Sequence, residues 1–139
     1  MEITHPGLAT LPSIPDWVGE LFVLSQLLRM GLDAYLSLGK KKPTLIHIMH
    51  AERGIRVKVK TGRAYSSLVV DDITTSAAHF LAFVVYDDTF EDLSVLPKVF
   101  IVPSAELVGI TRQLGERRRV IKGRLVKYKD NWSVLGRAL

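Results

Sequence analysis

Hydrophobic positions recur along the chain with two different periods. From Asp16 to Met30 the run DWVGELFVLSQLLRM reads as a helix. Trp17, Leu21, Leu24 and Leu28 recur at spacings of four, three and four and form one apolar stripe. Ser13 and Asp16 are candidate N-caps, and Gly31 is a natural stop because glycine enters the left-handed region at little cost. A helix this hydrophobic is expected to be buried against a sheet. Further on the period becomes two. Ile55, Val57 and Val59 fall on one side of a strand and Arg56, Lys58 and Lys60 on the other, the clearest strand in the chain.

Weaker signals fill in the rest. Residues 34–38 and 44–49 read as strands on either side of the basic turn Gly39-Lys40-Lys41-Lys42-Pro43, and 66–70 as a further short strand. Residues 72–78 read as a loop or short helix. Aromatic and β-branched residues mark 79–86 as a buried strand, 87–97 is acidic and turn-like, and 99–102 is apolar and extended. Ser104 caps an expected helix running to about Leu114, with Glu106 in its first turn and Gly115 after it. A last short helix is expected within 127–135, carrying Trp132. A helix, a meander of strands and a further strand-and-helix unit imply an α/β fold, a central sheet flanked by helices.

With 139 residues the chain suits a single domain spanning 1–139, with an irregular Pro-rich arm over 1–15 and a basic extension over 116–139. Hydrophobic residues are 47% and charged residues 24%, a globular balance that argues against disorder. No apolar run reaches the ~18 residues that span a bilayer, and no secretory leader is visible. Cysteine is absent, which removes disulfide scaffolds, thiolate metal sites and a cysteine nucleophile. A cytoplasmic protein without membrane association is the expectation.

The net charge of +5 is unevenly placed. Residues 1–50 are neutral, 51–100 carry −1 and 101–139 carry +6, with Arg117, Arg118 and Arg119 in one run. Such a concentration attracts phosphate backbones by releasing their counterions, and it also suits a merely solvated face. A second basic set joins Lys40, Lys41 and Lys42 to Arg56, Lys58 and Lys60. Three cations on one strand face repel one another unless something anionic lies near. Aromatic residues interleave poorly with this set, Tyr65 being the only one nearby in sequence, so stacking on single-stranded bases is not favoured. His47 and His50, three apart on a strand, face opposite sides and do not chelate. No Ser-His-Asp spacing stands out, and Gly39-Lys40 lacks the preceding glycine of a phosphate loop.

Five segments, in order, resemble the PD-(D/E)XK nuclease superfamily, and within it the small archaeal Holliday junction resolvase-like proteins. They are Gly19-Glu20 with the helix ending Leu27-Leu28-Arg29-Met30-Gly31; Leu38-Gly39-Lys40-Lys41-Lys42; Val57-Lys58-Val59-Lys60-Thr61, similar to the family's (E/Q)-V-K strand; Phe83 to Asp88 followed by Phe100-Ile101-Val102-Pro103-Ser104; and Tyr128-Lys129-Asp130-Asn131-Trp132. The resemblance implies a restriction-endonuclease-like fold, a mixed sheet with helices in the order α-β-β-β-(α)-β-β-α. It also implies a divalent metal held by an aspartate and a glutamate, with a lysine assisting the attacking water. Here the lysine matches Lys60 and the helix acid matches Glu20, so these two are the remnant catalytic positions. The ligand positions fall on Leu45 (or Thr44) and Lys58.

Magnesium needs hard oxygen ligands. Leu45 offers none, and Lys58 puts a cation where a ligand belongs. With Arg56 and Lys60 spaced roughly 7 Å to either side, a dication would be repelled, and metal-assisted hydrolysis loses both its Lewis acid and its activated water. Glu20 is expected to offset the lysines by pairing with Lys60 or Lys58. The expected function is a degenerate nuclease that holds no metal and binds DNA or another nucleic acid through Lys40, Lys41, Lys42, Arg56, Lys58, Lys60 and Arg117 to Arg119. One alternative is a magnesium- or manganese-dependent endonuclease whose ligands have moved to Asp71-Asp72, Asp87-Asp88 or Glu52. Another is a non-catalytic interaction subunit. Related resolvases are dimers, which adds a homodimer to the expectation.

Overall fold

The computed structural model describes residues 13–38, 43–71, 73 and 75–139. Most of the expected arm, the basic turn with Lys40, Lys41 and Lys42, and Asp72 lie outside the described residues. The architecture is α/β. Helix α1 (Asp16–Arg29) precedes strands β1 (Asp33–Leu38), β2 (Pro43–His50), β3 (Arg53–Gly62), β4 (Val69–Val70), β5 (His79–Val85) and β6 (Lys98–Pro103). Strands β7 (Thr111–Leu114) and β8 (Arg117–Val120) and two short helices, α2 (Lys122–Leu125) and α3 (Ser133–Arg137), complete the chain. Five strands form the main sheet in the order β1-β2-β3-β5-β6, and three form a small one, β4-β8-β7. The β1-β2-β3 meander is antiparallel, β5 runs parallel to β3, and β6 is antiparallel to β5. No helix among the described residues is long and apolar enough to cross a membrane.

The main sheet separates two cores. On one face Val23 and Leu27 of α1 and Leu135 of α3 pack on Ile46, Ile48, Val57, Val59, Ala82 and Val84. On the other, Leu81, Phe83, Phe100 and Val102 lie beneath the small sheet and the turns around it, through Leu68, Val70, Leu107, Val120 and Leu125. Strand β5 is therefore buried along its whole length, which explains the unbroken run of apolar residues from Phe80 to Val85. The small sheet covers only the β5–β6 half of its face. Across β1, β2 and β3 that face carries a mixture, Tyr35, Ser37, His47, Arg56 and Lys58 with Leu45 and Met49 among them.

Several expectations are corrected. Helix α1 buries Gly19, Glu20, Val23 and Leu27, while Trp17, Leu21 and Leu28 of the expected stripe are each about half exposed. The helix carries apolar residues on two sides, and Gly19 decides between them by letting the backbone approach β3 closely. Pro15 occupies the N-cap without a side-chain bond. Between β3 and β5 no α-helix occurs among the described residues. The helix expected over 104–114 is two single 3-10 turns, Ser104–Glu106 and Val108–Ile110, followed by β7. Ser104 is buried and spends its hydroxyl on the loop before β5, donating to the Ser76 carbonyl and accepting from the Ser76 N–H, so it caps nothing. Gly115, at φ +62°, opens a two-residue hairpin turn between β7 and β8 instead of ending a helix. The last expected helix starts later, at Ser133, after Asp130 adopts a φ of 54°.

Candidate nucleic-acid interface

Alternation places the open face. Ala34 and Leu36 of β1 and Ile46 and Ile48 of β2 pack into the first core, so Tyr35 and Ser37, and Leu45, His47 and Met49, project from the opposite side with Arg56 and Lys58 of β3. The register then aligns one residue from each of four strands: Tyr35 opposite His47, His47 opposite Arg56, and Arg56 opposite His79. The Tyr35 and His47 rings are stacked, with centroids 5.1 Å apart and planes 10° off parallel. Tyr35 is 49% exposed, Arg56 is exposed and Lys58 half-buried. Among the described residues no carboxylate pairs with Arg56 or Lys58.

His79 closes the row in a buried position, and its Nδ1 has no hydrogen-bond partner among the described residues. Burial first, then the Arg56 and Lys58 charges, hold its pKa below the ordinary histidine value. A neutral imidazole therefore sits beside two cations at neutral pH.

Lys60 stands apart from this set. Its ammonium lies 3.7 Å from Asp16 Oδ2, with the side chain only 18% exposed. The other Asp16 oxygen accepts the Thr61 backbone N–H at 2.8 Å, and the Thr61 hydroxyl donates to the Asp16 carbonyl at 3.1 Å. Asp16 thus clamps the start of α1 to the end of β3 and takes the partner expected for Glu20. Glu20 itself is 3% exposed, and its Oε2 has no partner among the described residues. Burial, then the neighbouring Asp16 charge, raises its pKa.

A consequence for stability follows from that raised pKa. Between the ordinary Glu value of 4.5 and the higher folded value, the unfolded chain has released a proton that the folded chain keeps. Stability contributed here is complete at low pH and lost as pH rises. Glu20→Gln should therefore stabilise the protein by about 1 kcal/mol at mildly alkaline pH, the scale of one buried polar group, and by almost nothing in acid. Urea unfolding of both proteins across pH measures this. An equal gain at every pH would show that Glu20 titrates in the fold as it does in the unfolded chain.

The remaining candidates are dispersed. Arg117 pairs with Asp71 at 2.9 Å. Arg118 donates to Thr111 Oγ1 at 2.8 Å and to Gln113. Arg119 is exposed and opposite Arg112 in the β7–β8 ladder. Asp87 pairs with Lys98, Asp88 lies in an exposed turn and Glu52 at the β2–β3 turn. Among the described residues no three His, Asp or Glu side chains are grouped to hold a metal ion. Tyr65 belongs to the second core, edge-on to Phe100 with the Lys122 ammonium 4.5 Å from its ring centre. Tyr35, which residue spacing alone does not bring towards β3, is the aromatic that the register places in one row with Arg56, on the far side of His47.

A separate pocket of about 450 Å³ lies between Ala105, Glu106, Gly109 and Ile110 on one side and Gly123, Arg124, Lys127 and Tyr128 on the other. The Tyr128 hydroxyl donates to Glu106 at 2.7 Å, and burial with that bond pushes its pKa up to about 12. Arg124 is tied to the Gly109 carbonyl at 3.1 Å, so the polar groups here serve largely to hold neighbouring turns together.

No protein-family model, curated protein or solved structure matches the chain. The fold and the face therefore define only a class: an α/β protein with a half-covered mixed sheet whose open half carries cations and stacked rings.

Proposed function

We propose that this protein binds nucleic acid without cutting it, through backbone contacts on the open half of its sheet. The observation that carries the reading is the pairing state of Arg56 and Lys58. They project from one sheet face with no acidic partner among the described residues, whereas Lys60 has Asp16. Unneutralised neighbouring cations gain free energy when phosphates replace water and counterions. The frame is read as a degenerate PD-(D/E)XK nuclease on its motif likeness; a meander followed by a strand parallel to β3 is consistent with it. Leu45 on the same face adds no metal ligand.

A second reading draws on the exposed side of α1. Trp17, Leu21 and Leu28 are 50%, 51% and 54% exposed and stand in a row, as a helix would present to a partner chain.

One set of measurements separates these readings. Fluorescence anisotropy with labelled single-stranded, duplex and branched DNA should give binding that weakens steeply with salt and does not depend on sequence. The slope of log affinity against log salt should be about −0.7 to −0.9 per phosphate contacted. Absence of binding at low salt, with a defined oligomer in sedimentation, would favour the second reading. Manganese-dependent nicking that disappears in Lys60→Ala would replace both by metal-assisted cleavage.

A further inference from the structure

We infer that the nucleic acid taken by this face is single-stranded, with a base stacked on the Tyr35–His47 pair and the adjoining phosphates on Arg56 and Lys58. The inference rests on the nucleic-acid reading above and narrows it to one class of strand.

Two features of the face carry it. The first is the rings. Side chains on a sheet stand roughly perpendicular to it, and here two stand ring against ring, one of them half exposed. Tyr35 lies on the edge strand β1. Among the described residues, the side of its ring turned away from His47 therefore has no neighbouring strand beyond it. A base offers a π-face to such a ring only when it is unstacked, as in a single strand; a duplex keeps its base faces inside.

The second is the number and placement of charges. The usable row runs from Tyr35 through His47 to Arg56, two strand spacings or roughly 10 Å. Beyond Arg56 the row ends in His79, which is buried and neutral. Among the described residues of this face Arg56 and Lys58 are the cations without an ion pair, a short cationic step in line with the rings, and the exposed carboxylate Asp33 stands at the far end of β1. That alternation matches the repeating base and phosphate of one strand. A duplex would draw on a broader spread of charge than this face offers; the arginines at 112 and 117–119 lie on the separate small sheet, where Arg117 is paired with Asp71.

The test compares oligothymidylate, oligouridylate and a duplex of the same length on the full chain and its Tyr35→Ala, Tyr35→Phe and His47→Ala variants, each checked for unchanged thermal unfolding. Stacking predicts that Tyr35→Ala weakens single-strand binding about ten-fold, that Tyr35→Phe stays within about two-fold, and that duplex binding is the same in all variants. The two single-stranded probes distinguish a DNA from an RNA ligand. Duplex binding at least as tight as single-strand binding, or a Tyr35→Ala variant with full affinity for single strands, overturns the inference and leaves the nucleic-acid reading standing. No binding to any probe by the wild-type protein removes that reading and the inference with it.

Discussion

Gly19→Ala should cost the fold about 2 kcal/mol, although it replaces glycine by the best helix former inside a helix. On propensity alone the change is favourable by about 1 kcal/mol. Packing opposes it. A Cβ at position 19 would lie 2.1 Å from Thr61 Oγ1 and 3.1 Å from Val84 Cβ. Thr61 cannot easily turn aside, because it is β-branched and because its N–H and hydroxyl are both bonded to Asp16. The helix must lift from β3 or give up those bonds. Overpacking costs roughly 1–3 kcal/mol, and a lost hydrogen bond adds about 1 kcal/mol, so packing outweighs propensity. Thermal and urea unfolding measure the sum. Adding Thr61→Ala removes the closest atom and should recover part of the loss, a coupling that a double-mutant cycle isolates. An unchanged or higher melting temperature in Gly19→Ala would mean that α1 does not sit this close to β3.

The same contact explains which parts of the fold residue patterns reveal. Strands β3, β5 and β6 are legible because alternation or an unbroken apolar run reflects what lies on each face of a sheet. The orientation of α1 is not, because two apolar sides compete and the choice depends on a backbone approach made by a residue with no side chain. The β7–β8 hairpin carries a signal that can be read, a Gly-Glu pair at 115–116 between two short polar strands. The capping look of Ser104-Ala105-Glu106 outweighs it until Ser104 is seen bonded to Ser76. The candidate site was half legible. Arg56 and Lys58 follow from alternation within one strand. Tyr35 and His47 join them only through the register of two hairpins, which residue order does not specify. The exchange of Asp16 for Glu20 at Lys60 has the same origin, since it depends on where the end of β3 meets the start of α1.

Reversing the two unpaired cations, Arg56→Glu with Lys58→Glu, should abolish nucleic-acid binding at moderate salt and lower it by roughly a hundred-fold at low salt, while the salt slope falls by about two. Each change removes a phosphate contact and adds a repulsive charge to the same place. The fold should tolerate both, because Arg56 is exposed and Lys58 half-buried. His79 supplies a check independent of any ligand. The two cations oppose its protonation in the native protein, so carboxylates in their place should raise its pKa, a shift readable by NMR titration of the imidazole. That shift would establish that the new side chains sit beside His79 on an intact sheet. Arg117→Glu with Arg119→Glu on the small sheet is the matched control, equal in charge change but located on β8. If the control loses as much affinity as the β3 pair, binding follows overall charge and not the open face. If the β3 pair keeps full affinity while the His79 shift is present, the nucleic acid is held elsewhere on the molecule.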